Sequence, residues 1–358
     1  MYTKNKFFKI VSYKIVCLST LIFAFILTSN VHGKIFKIEE IEISEPFDSN
    51  FNKEKVINKA FSAAFKELAL SVITNKDKLK IDYTNLTDIK YLVESFEIRN
   101  ETFLNNQYIA KFNVNFNKKK TLNFFENKNI FPSLKRNKDF LTVLIFIDND
   151  VNQIFLYEKN PFYKNWNNNR EKYFLINYIL IDEDLEDIEI INENKEDIEN
   201  YQFEKIIKKY DLNDYIISII FKNNKELRIL SKFYFDENLK IINNKYKNID
   251  LNDQKKLNDI IYETKTNLED LWKSNNLINT SLKIPINLQL NPKDTLKIIN
   301  LEQEMDKIDL IYDYYITNIS SNNLNYKIIF NGSPKQFLKI MREKNIVINI
   351  ENETWKIK

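Results

Sequence analysis

Two carboxylate-rich stretches are where this sequence could do chemistry. IDEDLEDIEIINE, residues 181–193, sets Asp182, Asp184, Glu186 and Glu193 at positions 1, 3, 5 and 12 of a calcium loop, a spacing that wraps oxygens around one ion. Position 6 is Asp187, where the sharp turn needs glycine. A solvated loop or a helix start is therefore the better reading, and cation binding by Asp182 to Glu193 stays an open question. DNDVN, residues 148–152, also alternates oxygen ligands, but Lys159 stands where the closing glutamate belongs, which favours a turn after a strand. Aromatic contact chemistry has three candidates, Trp166, Trp272 and Trp355. Trp272 falls on a helical core face and Trp355 points inward on the last strand, so core packing explains both. Trp166 follows NPFYKN in an asparagine-rich loop and is the contact candidate, with capping of a sheet as the competing account.

Other reactive residue types gather in one segment. IVCLSTLIFAFILTSNVHGK, residues 15–34, holds the only cysteine, Cys17, the only histidine, His32, and Gly33. Lys4, Lys6, Lys9 and Lys14 precede its apolar run, and no acidic residue occurs before Glu39. A basic start, a short apolar middle and small residues before a cut between Gly33 and Lys34 describe a secretory signal peptide. The alternative is an uncut signal that holds the protein at a membrane, although the run is short of the ~20 residues that span a bilayer. Cleavage leaves about 325 of the 358 residues, and the formal charge of +3 becomes −1 once four lysines are removed.

Much chemistry is excluded for that product. Without histidine or cysteine it has no Ser-His-Asp or Cys-His site, no ordinary zinc site and no disulfides. One remaining glycine, Gly332, excludes the usual phosphate loops and dinucleotide turns, so no cofactor is expected. Nucleic-acid binding lacks the surplus of Lys and Arg it requires. Paired carboxylates, as in glycoside hydrolysis, stay available, yet no spacing singles out a pair. Lys, Asn, Ile, Phe and Tyr are abundant while Gly, Ala, Arg and Pro are scarce, a pattern that AT-rich coding produces.

The elements that must position these groups fall into three units, at residues 34–137, 138–283 and 284–358. In the first, a strand over 35–43 precedes an amphipathic helix over 52–74, with Asn52 as its cap. YIAKFNVNF, residues 108–116, alternates strictly and pairs with a strand over 89–99; a short helix follows at 120–125. The second unit has a continuous apolar strand at 140–147, as strands covered on both faces show. Strands at 173–181 and 214–221, a helix at 201–210, a hairpin over 227–243 and a long helix at 252–272 complete it. The third unit follows KIPINLQLNP and reads α-β-β-α-β-β, a two-layer sandwich in which Gly332 supplies backbone freedom for a turn. The expected fold class is mixed α/β and α+β, built of small layered domains.

AFSAAFKELAL, YIAKFNVNF, LTVLIFI with NPFYKNW after it, and the closing NYKIIFNGSPKQFLKIMREKNIVINIENETWKI together resemble one family. It is the exported proteobacterial "domain of unknown function" numbered two-zero-six-six. The resemblance covers nearly all of residues 34–358 and implies a periplasmic protein of a Gram-negative envelope. It brings no activity and no functional residues. The expectation is a non-catalytic interaction or accessory module whose partners are other envelope proteins, touching a membrane only through an uncleaved signal. The alternative is a carboxylate-based hydrolase acting on an envelope polymer.

Overall fold

Three sheets, one within each sequence unit, carry the described part of the chain. The computed structural model describes residues 36–168, 171–351 and 354–357. The signal segment and its cut between Gly33 and Lys34 lie outside the described residues. No helix among the described residues is long and apolar enough to cross a membrane.

The first sheet has the order β1 (Lys37–Pro46), β3 (Gln107–Phe116), β2 (Val93–Leu104), all antiparallel. The expected alternation decides the middle strand: Tyr108, Ala110, Phe112, Val114 and Phe116 are all buried. Helix α1 (Lys53–Val72), whose cap Asn52 accepts the N–H of Lys55, buries Val56, Ala60, Phe61, Ala64, Phe65 and Leu68. The strand expected over 89–99 begins only at Val93. Residues 89–92 belong instead to helix α2 (Leu86–Leu92), because Asn85 caps it and Ile89 and Leu92 bury at a spacing of three. Asn105 and Asn106, both at positive φ, make the two-residue turn between β2 and β3. Helix α3 (Lys118–Asn127) ends the unit.

In the central sheet β4 (Lys138–Asp148) is the organising strand. One of its edges carries β5 (Gln153–Phe155) and parallel β6 (Ile176–Leu180); the other carries parallel β7 (Tyr215–Asn223). Antiparallel β8 (Glu226–Phe235) and β9 (Asn238–Tyr246) extend the sheet beyond β7. Its apolar run is continuous because both faces are covered. Phe140, Leu144 and Phe146 pack with α4 (Pro161–Trp166) and α7 (Gln254–Asn275). Val143, Ile145 and Ile147 pack with α5 (Leu185–Glu193) and α6 (Glu204–Ile207). The helix expected over 201–210 is thus confined to one turn, and the strand expected from Tyr173 starts at Ile176.

The C-terminal sheet has the order β11 (Ile311–Ile319), β12 (Leu324–Phe330), β10 (Ile284–Leu290), β14 (Thr354–Ile357), β13 (Ile348–Glu351). Leu288, Tyr326, Ile328 and Phe330 share one core with Leu301 and Met305 of α8 (Thr295–Lys307) and with Phe337 and Met341 of α9 (Pro334–Glu343). This is the expected two-layer arrangement with one addition. IPINLQL, placed before the sandwich, is its central strand. Gly332 also differs from expectation, since no described glycine has positive φ. Space is what it supplies: an added Cβ would stand 2.6 Å from Cε1 of Phe330.

The core of the first sheet is continuous with that of the third. The central unit is inserted between them on two crossing strands of chain, joined by the bridge of Ser133 with Leu277 and by N–H donation from Leu134 to Asn276 O and from Ile278 to Pro132 O.

Candidate functional site

Both acidic motifs close around a lysine of the protein itself. In the tract at 181–193, Asp184 caps α5 by accepting the N–H of Glu186. Its carboxylate, with those of Glu186 and Asp187, lies 2.6, 2.9 and 2.7 Å from Lys209 Nζ. Asp187 is fully buried and also receives the Tyr157 hydroxyl at 3.4 Å. The three carboxylates push the Lys209 pKa upward, and Lys209 holds that of Asp184 down. The tract is thus a helix start around an internal ammonium.

DNDVN is built the same way on a smaller scale. Asp148 and Asp150 lie 2.9 and 2.6 Å from Lys222 Nζ, and Asp148 also accepts the N–H of Asp150. Lys222 is raised and Asp150 lowered by that contact. The turn expected after β4 is present, with Asn152 at positive φ. Among the described residues, no group of His, Cys, Asp and Glu is arranged to hold a metal ion.

Trp166 requires a correction of its setting. It ends the helix α4, started by Asn160 and Pro161, and is 1% exposed rather than displayed on a loop. Its ring meets Tyr178 edge-on at 5.7 Å, and its carbonyl accepts from Lys265 of α7. It also lines a crevice of about 480 Å3 with Glu171, Phe174, Asp259 and Tyr262. Glu171 and Asp259 are two carboxylates on its wall. Trp272 packs edge-on against Phe140 and Phe235, and its indole N–H donates to Arg136 O at 2.8 Å. Trp355, half-buried, lies 6.0 Å from Phe337.

Sequence reasoning missed the polar face of α7. Lys265, Glu269 and Lys273 are buried beside the apolar stripe, at a spacing of four that puts them on one side of the helix. Glu269 accepts the N–H groups of Leu175 and Ile176 at 2.9 and 2.8 Å, which fixes the start of β6.

Another missed feature is an exposed aromatic knot at the end of the first sheet. Phe47, just after β1, contacts Phe51 and Phe103 at ring distances of 4.9 and 4.8 Å; both neighbours rest on buried Tyr108. Despite that packing, Phe47 and Phe103 are 46 and 57% exposed, and Leu104, next in the chain, is 61% exposed. The signal was legible: aromatic residues stand beside turn residues in EPFDSNF and ETFLNNQY, at the hairpin end of the strands, where Phe103 lies opposite Tyr108. No family model and no curated protein matches the chain.

Proposed function

We propose that this chain is an exported protein of the Gram-negative envelope that works as a non-catalytic interaction module, meeting another envelope protein through the Phe47–Phe103 knot and the exposed Leu104 next to it. The knot carries this reading. Large apolar groups that are exposed yet held by ring contacts lose little freedom on binding, as anchor residues at interfaces require. Around them Glu45, Asp48 and Glu101 outnumber Lys53 and Lys59, a balance that offers no attraction to anionic lipid and favours a protein partner. Support for export comes from the basic flank and apolar run before Lys34, and from the family resemblance.

Crosslinking and recovery from the periplasm, run in parallel with wild type and F103S/L104S, tests the proposal. Recovery of the same protein partner by wild type alone is expected. Equal recovery by both would overturn it.

A second reading, the carboxylate-based hydrolase acting on an envelope polymer, rests on the crevice that Glu171 and Asp259 share with Tyr262. Turnover of an envelope glycan by the purified chain, abolished by E171Q or D259N, would replace the first reading with this one.

A further inference from the structure

The carboxyl ends of β4 and β7 open onto a crevice of about 930 Å3, with Asp148 of DNDVN on its wall. Its position follows from topology. β4 and β7 lie side by side and parallel, and each turns back at its carboxyl end into a hairpin, with β5 and with β8, so the two hairpins wall the crevice. The lining carries four lysines, Lys159, Lys222, Lys225 and Lys256, against two aspartates. Neither aspartate is idle: Asp148 holds Lys222, and Asp250 accepts the N–H of Asn252 at 3.0 Å. Lys222 is fixed from two sides by Asp148 and Asp150. Lys159, Lys225 and Lys256 form no ion pair among the described residues. Apolar surface completes the lining, where Phe146 and Phe155 stack at 5.8 Å and an interplanar angle of 29°.

We propose that this crevice binds a small anion joined to an apolar ring, the anionic group among Lys225, Lys256 and Lys159 and the ring against Phe146 and Phe155. Its size suits a ligand of that kind, since small-molecule sites run to roughly 300–1,000 Å3. A cation is disfavoured by the lysine excess, and a purely apolar ligand would leave the ammonium groups beside it without a partner. Aromatic walls distinguish the site from a bare phosphate cradle.

Calorimetric titration of the full chain with phenyl phosphate, inorganic phosphate and phenol tests each half of the claim. Phenyl phosphate should bind more tightly than either fragment. K225Q/K256Q should weaken it about tenfold, as two partly exposed charge contacts would. K335Q/K339Q, with the same charge change on α9, should leave binding unchanged. Phenol binding as tightly as phenyl phosphate, equal affinity in wild type and K225Q/K256Q, or no heat from phenyl phosphate would each overturn the proposal.

Discussion

Lys209 and Lys222, at the ends of central elements, and Lys118 and Lys273, at joints between units, face opposite environments. Lys209 and Lys222 sit among carboxylates, which favour the charged form and raise both pKa values. Lys118, at the joint of the first and third units, donates to the carbonyl of Ile308 at 2.7 Å, and burial brings its pKa down to about 8. Lys273, at the joint of the first and central units, donates to Leu70 O at 2.6 Å and is lowered by burial, although Glu269 and Asp270 oppose the shift. A carbonyl dipole satisfies the ammonium's hydrogen bond but does not neutralise its charge. The charge is therefore stabilising at Lys209 and Lys222 and costly at Lys118 and Lys273. Joints built this way respond to pH, whereas the acid-held lysines do not respond until far more alkaline conditions.

Lys209→Met breaks the first half of that contrast most severely. It leaves Asp187, fully buried, as a carboxylate without its ammonium, and the expected loss is about 3 kcal/mol in urea unfolding. K209M/D187N removes both charges and should recover much of that loss. If K209M unfolds at the wild-type urea midpoint, the cage holds nothing together.

Lys118→Met sharpens the second half. The folded pKa lies below the ordinary 10.5, so between pH 8 and 10.5 the unfolded chain binds more protons than the folded one, and stability rises with pH. The full shift caps this gain at about 3 kcal/mol, and relaxation at the joint brings the expected value to roughly 2 kcal/mol. Wild type minus K118M, measured by urea unfolding at pH 7, 8, 9 and 10, should show that rise as a closing gap. A pH-independent difference would place Lys118 in water, not in the joint. Lys209 shifts the other way: its contribution is present below the ordinary lysine pKa and is lost only above the raised one.

How much of this was legible depended on whether a pattern was local. The alternation of YIAKFNVNF, the apolar run of β4 and the periodicity of α1 specify their elements, because each reports burial on a fixed face. The cages were not legible, since Lys209 and Lys222 lie 22 and 74 residues from Asp187 and Asp148. A carboxylate cluster looks the same in sequence whether a metal ion or a distant lysine fills it. Asparagine was misjudged for a different reason. Its abundance reads as coding bias, yet in a chain with two glycines it takes most of the left-handed positions among the described residues, including Asn100, Asn105, Asn106, Asn129 and Asn224. It also caps α1, α2, α3 and α4. The Trp166 setting was missed because Asn160 and Pro161 were read as loop residues, whereas together they are a cap and a first helical position. As for the candidate crevices, their linings come from segments far apart in the chain, and no spacing rule could assemble them.

Lys222→Met is the smallest of the expected effects and separates the two acid-held lysines from each other. Asp148 and Asp150 keep 15 and 30% of their side-chain surface in water, so each can be resolvated once the ammonium is gone, unlike Asp187. The drop in urea midpoint should accordingly be smaller than for K209M. Salt provides the finer discriminator. Screening acts on charges that water and ions can reach, so 1 M NaCl should erase most of the difference between wild type and K222M while leaving the K209M deficit nearly intact. Equal salt sensitivity in the two variants would mean that the cage around Lys209 is as open to solvent as the clamp, and that burial of Asp187 does not set the strength of its pair.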